Sequence, residues 1–285
     1  MNTATATEGK GVAGAMTPAE VALIEEARIA RAVAEVALEF IEVAGGTVCW
    51  GGEGSWQNEG RGLGLRGPVS DEDLDRLCAF LEERGGRARI DVCPFADETL
   101  FRGLAARGFV VREFENVLCR ELGEGEDFRA LLPGGWPTGP GGERLVIEDV
   151  DKSDEGRVRE FAEVSQSGFR PEGEAMGEAE WATMQRMARH PRMWPMVARF
   201  GEEAVGGGAV EAWEVSGALI GTSVTAAFRG RGVQQALMAV RMERARDLGC
   251  RLVTIGSAPG IPTERNAWRL GFRVAYTKAL MERRA

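Results

Sequence analysis

Histidine occurs once in this chain, at 190, and tyrosine once, at 276. A lone imidazole excludes most zinc sites, and Ser–His and Cys–His catalytic arrangements go with it. Lysine stands only at 10, 152 and 278, so nearly all positive charge is arginine. The five cysteines, at 49, 78, 93, 119 and 250, form no CxxC pair and no metal-ligand spacing. An odd, scattered set reads as reduced thiols, and predicts a cytoplasmic protein without a bound metal. No apolar run is long enough for a membrane helix. The first residues, "MNTATATEGKGVAGAMTP", contain no continuous apolar segment before a cleavage-like site; residues 1–18 are expected to be a disordered tail. The formal net charge of −9 argues against nucleic acid as a partner and for a cationic one.

What is present begins with a repeat. Slid against itself by 163 residues, the sequence places Trp50 on Trp213 and Arg66-Gly67 on Arg229-Gly230. Leu74 then meets Leu237, Gly86 meets Gly249, and Ile90 and Val92 meet Val253 and Ile255. Gly108-Phe109 meets Gly271-Phe272 and Val111 meets Val274, without a gap. Chance rarely aligns glycines, a tryptophan and a "GF" in one register, and the period is far too long for a solenoid. The expectation is a duplicated unit, with copies at 19–122 and 144–285. Between them, residues 123–143 are rich in glycine and proline and read as a linker.

Periodicity orders the second copy. "RLVIEDV" alternates and predicts a strand; Asp154 to Gln166 and Glu178 to Arg189 have helical spacing. "MVARFGE", "AVGGGAVEAW" and "VSGALIGTSV" predict three successive strands. Residues 233–248 follow as a helix, with Val233, Ala236, Leu237, Val240 and Leu248 on its apolar face and Arg244 spoiling that face. "RLVTIGS" predicts a central strand, "TERNAWRLGF" a short helix, and "FRVAYTKALMER" a last strand. The fold class is α/β, a mixed sheet with flanking helices.

Between strand and helix lies "FRGRGVQQAL", Phe228 to Leu237. Glycine permits positive φ and close approach, and a helix N-terminus offers free N–H groups and a partial positive charge. Together with two arginines this makes a phosphate site. No "GxxxxGK[ST]" is present, and "GxGxxG" fails at Gln235. The first copy has lost the device: Arg66-Gly67-Pro68-Val69 puts valine at the key glycine, and Pro68 has no N–H to offer.

The turn resembles the cofactor signature of GNAT-type N-acetyltransferases: Arg or Gln, two residues, Gly, one residue, Gly or Ala. Arg229, Gly232 and Gln234 occupy those places, with Gln where Gly or Ala is usual. The flanking strand end, the aromatic-arginine turn and "NAWRLGF" extend the resemblance over 144–285, and the repeat carries it in worn form over about 30–122. The tandem shape is similar to the mycothiol synthases. The resemblance implies two GNAT-like domains, each with a parted strand pair, the second catalytic. It implies acetyl-CoA or another acyl-CoA as donor and a small-molecule or peptide amine as acceptor, with no metal, nucleic acid or membrane involved. The donor pyrophosphate would lie on Arg229, Gly230, Arg231, Gly232, Val233 and Gln234, and the pantetheine along the strand end at Val224. Asn266 would line the far side of the cleft, or else cap its own short helix.

The family's frequent general acid is a tyrosine four residues before the "GF" glycine, and that position is Ala267 here. Tyr276 stands as the alternative proton donor, or else as a strand residue with a satisfied hydroxyl; a strand period would point it to the same side as Phe272. Glu172, Glu174 and Trp181 belong to a solvated helix or meet the amine, and His190 reads as a helix-terminus residue or else as a substrate contact. The rival to an acyltransferase is a non-catalytic acyl-CoA-binding module.

Overall fold

The computed structural model describes residues 15–171 and 174–284. The first half begins with α1 (Pro18–Val36) and a hairpin of β1 (Glu39–Val43) and β2 (Gly46–Trp50). It continues through β3 (Gly60–Arg61), α2 (Asp71–Glu82), β4 (Arg89–Val92), α3 (Glu98–Ala106) and β5 (Phe109–Glu121). The second half runs β6 (Val146–Asp149), α4 (Glu155–Gln166), α5 (Glu178–Arg189), β7 (Met193–Phe200), β8 (Glu203–Trp213) and β9 (Ser216–Val224). Then come α6 (Val233–Asp247), β10 (Leu252–Ser257), α7 (Pro262–Arg269) and β11 (Arg273–Arg283). α2, β4, α3 and β5 thus recur in the same order as α6, β10, α7 and β11.

All strands join one mixed sheet in the order β1-β2-β3-β4-β11-β5-β10-β9-β8-β7-β6. The last strands of the two halves have changed places. β11 pairs antiparallel with β4 and β5, and β5 pairs antiparallel with β10. Each terminal strand finds backbone partners in the other half, so neither half keeps a bare edge in the middle of the molecule.

Helices cover both faces. α6 and α7 close one face of the second half over Val205, Val210, Leu237 and Phe272, while α4 and α5 close the other over Val197 and Ala209. Adjacent Val197 and Ala198 fall in opposite cores, as the strand period requires. In the first half α2 and α3 cover Ile90, Val92 and Phe109. α1 lies on the opposite face of the middle strands, over Cys93, Val117 and Tyr276. It starts at a capping box: the Thr17 hydroxyl accepts the Glu20 N–H, and the Glu20 carboxylate accepts the Thr17 N–H. Its buried Arg28 donates to Glu25 on its own helix and to Glu211 on β8, while the Thr254 hydroxyl of β10 donates to Glu25 at 2.8 Å. This first-half helix is therefore tied to two strands of the second half.

Three sequence expectations shift here. The tail read as far as residue 18 overlaps ordered chain: the Met16 N–H donates to Glu121 and its carbonyl accepts from Arg273. The connecting segment has only a 3-10 turn (Arg129–Leu131) and one isolated bridge, yet it is not loose. Phe128 is fully buried in the second-half core, Arg129 grips Glu243 of α6 through two nitrogens, and Arg246 donates to the Glu126 carbonyl at 2.7 Å. Glycine and proline exclude regular structure without excluding packing. On α6, Leu248 is exposed, and the polar residue inside the apolar face is Arg241, wholly buried, rather than Arg244.

Candidate active site

β9 and β10 run parallel and paired only from Ser216 to Ala218 against Leu252 to Thr254. Beyond that they part, so Leu219–Val224 pair with β8 on one side and have no β10 partner on the other. A bulge sets the divergence: the β8–β9 register slips between Gly207 and Ala209, where Gly221 takes φ +56°. Arg241 reaches this bulge from α6. Its Nη1 donates to the carbonyls of Ala209 and Ile220 at 3.1 and 3.2 Å, bracketing the slip. No carboxylate accompanies it, its Nη2 has no partner among the described residues, and burial pulls its pKa down to about 9. Nothing in the helical spacing singled out Arg241, because a buried arginine is rare without a paired carboxylate.

Past Val224 the chain makes a short 3-10 turn and enters Arg229–Gly232. Gly230 and Gly232 have φ of +76° and +80°, conformations that cost other residues roughly 1–2 kcal/mol. Gly232 is the N-cap of α6; no side chain caps that helix, and its first turn carries no acid. The leading N–H groups point outward with the positive end of the dipole.

The matching position in the first half is shut. The Val69 N–H donates to the Thr99 hydroxyl at 2.8 Å. Ser70 caps the Asp73 N–H, and the Asp73 carboxylate accepts in return from the Ser70 N–H. Asp71, Glu72 and Asp73 then fill the first turn of α2 with negative charge. One helix start is arranged for an anion, and its copy satisfies itself and repels one.

The structure brings together every residue read into the donor site. Val224 ends β9, and its carbonyl accepts from Arg229 Nε at 3.1 Å. Gly230, Arg231 and Gly232 line a cleft of about 460 Å³, and the buried Val233 begins α6. Gln234 does not crowd the turn. Its amide swings to α7, donating to the Thr263 hydroxyl at 3.1 Å and accepting from Asn266 Nδ2 at 2.6 Å. Asn266 is not a cap: α7 starts at Pro262 with Ile261 as N-cap, so Asn266 lies inside the helix and ties it to α6.

Tyr276 stands apart. A bulge between Val274 and Tyr276 breaks the strand period, so Tyr276 faces α1 while Phe272 faces α7. β5 separates its strand from β10. Its hydroxyl donates to Glu26 at 2.7 Å, and burial, followed by the Glu26 charge, pushes its pKa far up. The fully buried Lys278 shares that pocket, paired with Asp91, Glu26 and Glu115. His190 caps the end of α5, its pKa lowered by burial. The Arg159 guanidinium lies 4.2 Å over the ring of Trp181, Glu174 is exposed, and Glu172 falls outside the described residues.

One acidic group near the parting went unread. A side-chain carbon added at Gly256 would meet the Glu115 carboxylate at 2.9 Å, just beyond the last paired residue of β10. Glu115 belongs to β5, so only the exchange of terminal strands brings it there. Its one-dimensional signal, a glutamate in an alternating strand, has no distinguishing feature.

The model of the Acetyltransferase (GNAT) family matches residues 158–272, from α4 to the residue before β11. Among solved structures, a GCN5-related N-acetyltransferase from Kribbella flavida aligns with TM-score 0.61 at 14% identity, covering 91% of this chain and 96% of that one. A GCN5-related N-acetyltransferase from Sphaerobacter thermophilus aligns with TM-score 0.55 at 16% identity, over 80% of this chain and 72% of that one. A tandem GNAT protein from the clavulanic acid biosynthesis pathway aligns with TM-score 0.52 at 17% identity, over 70% of this chain and 65% of that one. No curated protein matches the chain in sequence.

Proposed function

Since residues 158–272 of this chain form a GNAT-family domain, we infer that the protein is an acyl-CoA-dependent N-acyltransferase, taking acetyl or a related acyl group to a primary amine of a small molecule or peptide. The observation that carries this reading is the contrast between the two helix starts. α6 leaves its N–H groups open behind two left-handed glycines, and α2 closes its own with Thr99, Ser70 and Asp73.

The donor pyrophosphate takes the N–H groups of Arg229–Gln234, and the pantetheine lies along Leu219–Val224 as an added strand. Backbone N–H groups at the bulge polarise the thioester carbonyl, with the uncompensated charge of Arg241 beneath them. The neutral amine nitrogen attacks the carbonyl carbon, the C–S bond breaks, and the electron pair leaves with sulfur. The nitrogen loses a proton, and the CoA thiolate takes one. Glu115, half exposed beside Gly256 of β10 and shared with buried Lys278, is the carboxylate at this mouth, and an ammonium drawn there gives up a proton to water before its nitrogen attacks. With Tyr276 sealed against Glu26, the thiolate is protonated from solvent in the open cleft.

Release of free thiol from acetyl-CoA, followed with Ellman's reagent across small amines, an aminoglycoside and a peptide N-terminus, tests the reading. All five cysteines are buried, which keeps the protein's own thiol background low. Amine-dependent release above the acceptor-free rate is expected. The sequestered Tyr276 and the alanine at 267 favour a second reading, a module that binds acyl-CoA without turnover. Tight binding of one acetyl-CoA with no amine-dependent release would establish that one instead. Gly232→Asp adds a side chain at φ +80° and a negative charge beside the phosphate, and should lower donor affinity at least tenfold. Unchanged affinity in that variant would remove the turn from the site.

A further inference from the structure

Two steps along β8, Gly207 to Ala209, match three along β9, Ser223 to Ile220. The extra residue interrupts the ladder of hydrogen bonds and bends the strand. Arg241 donates from the helix below to the Ala209 and Ile220 carbonyls that flank the interruption, both through Nη1. Its Nε donates to the Leu237 carbonyl of its own helix at 3.0 Å, which fixes the side chain against α6. β8 is shaped to receive it. A side-chain carbon at Gly208 would lie 2.9 Å from Nη1 and 3.1 Å from the Thr222 hydroxyl. The guanidinium thus occupies the place of the missing side chain and touches both strands of the bulge.

Burying a guanidinium without a carboxylate costs free energy, and packing alone does not require one. The same chain shows the alternative. In the 163-residue register Arg241 falls on Cys78, a buried thiol on α2. There the strand that would match β9 is gone: residues 51–59 form a loop, β3 keeps two residues, and its pairing with β2 shows no slip. Bulge, arginine and open helix start occur together in the second half, and the matching places of the first half have none of the three. We propose that Arg241 is a positioning residue for the transfer step, holding the β9 bulge in one geometry so that its N–H groups meet the thioester carbonyl as charge develops on the oxygen. The proposal rests on the acyl-CoA reading of the cleft, and it gives a fully buried residue an effect on turnover rather than on donor affinity.

Three variants of the full chain test it. Arg241→Met removes the donors and keeps a long side chain, and Arg241→Lys keeps the charge and loses the fork. Gly208→Ala leaves the arginine in the sequence and pushes Nη1 aside from β8. Each is read by calorimetry with acetyl-CoA, by amine-dependent thiol release, and by the infrared band of acetyl-CoA isotope-labelled at the carbonyl carbon. In wild type the bound band should lie below that of free acetyl-CoA. Arg241→Met and Gly208→Ala should lower kcat about tenfold or more, leave donor affinity and the amine KM within about twofold, and return the band toward its free position. Arg241→Lys should fall between. A role in stability alone would lower the melting temperature and leave the band of the folded protein where it was. Wild-type kcat in folded Arg241→Met overturns the proposal, as does a loss of donor affinity as large as the loss of kcat. Should Arg241→Met fail to fold, Gly208→Ala decides by the same criteria. If the wild type binds acetyl-CoA and releases no thiol to any amine, the transferase reading falls and the band decides alone: equal bands in wild type and Gly208→Ala overturn the positioning role, and a displaced band upholds it. A wild-type chain that binds no acetyl-CoA removes both.

Discussion

At the scale of single residues, Tyr276 shows how a local break redirects a side chain. Its hydroxyl is committed to Glu26, so Tyr276→Phe should cost about 1–3 kcal/mol of stability, the usual range for a buried acceptor left unpaired. Thiol release should be within twofold of wild type; a large loss of turnover at normal donor affinity would return Tyr276 to the mechanism. Glu26 gives a pH prediction. Burial, the largest influence, raises its pKa to about 7, opposed in part by Lys278. A carboxyl group with a raised folded pKa contributes stability at low pH that is lost as pH climbs from its unfolded value to the folded one. Glu26→Gln cannot ionise. Its melting temperature relative to wild type should therefore rise between about pH 5 and pH 7 and level off above. A pH-independent difference would place the titration elsewhere.

At the scale of elements, the two helix starts differ by more than their glycines. Restoring the lost residues in the first half by Pro68→Arg with Val69→Gly leaves the Ser70–Asp73 box and three acids in place. That double variant should still bind a single CoA per chain by calorimetry, and a second site of comparable affinity would show that the glycine turn alone suffices. Ser70→Ala should cost about 1 kcal/mol, the usual loss for an N-cap, without creating a site. Much of this contrast is legible from sequence, since Pro68, Val69 and an acidic run following serine are local features. The Val69–Thr99 bond is not, because thirty residues separate its partners.

For the whole molecule, the exchange of β5 and β11 makes the halves interdependent. A fragment of 144–285 would leave β10 without β5 and β11 without both of its partners, and would expose the apolar face that α1 covers. It should be insoluble or melt without cooperativity, while coexpression with 1–143 should restore CoA binding. A soluble, cooperatively melting 144–285 with full affinity would refute this. The second half also draws Glu115 and α1 from the first. In the proposed function, that is how the first half, with its own helix start closed, would shape the site of the second.

The sequence by itself determined the local pieces. Hydrophobic period and glycine or proline punctuation placed each element of the second half, because these act within a few residues. The 163-residue register exposed the repeat, and two glycines and two arginines before a helical run marked the candidate phosphate turn. Which strands lie side by side only the tertiary structure decided, since β5 and β11 are both long strands of mixed apolar and polar residues and nothing local says which pairs with β4 and which with β10. From that pairing follow the Glu115 carboxylate at the parted strands, and the bulge at 274–276 that turns Tyr276 away from them. The connecting segment joins the cleft for a similar reason: Phe128 and Pro137 find their burial against residues far along the chain, which no period in one dimension records.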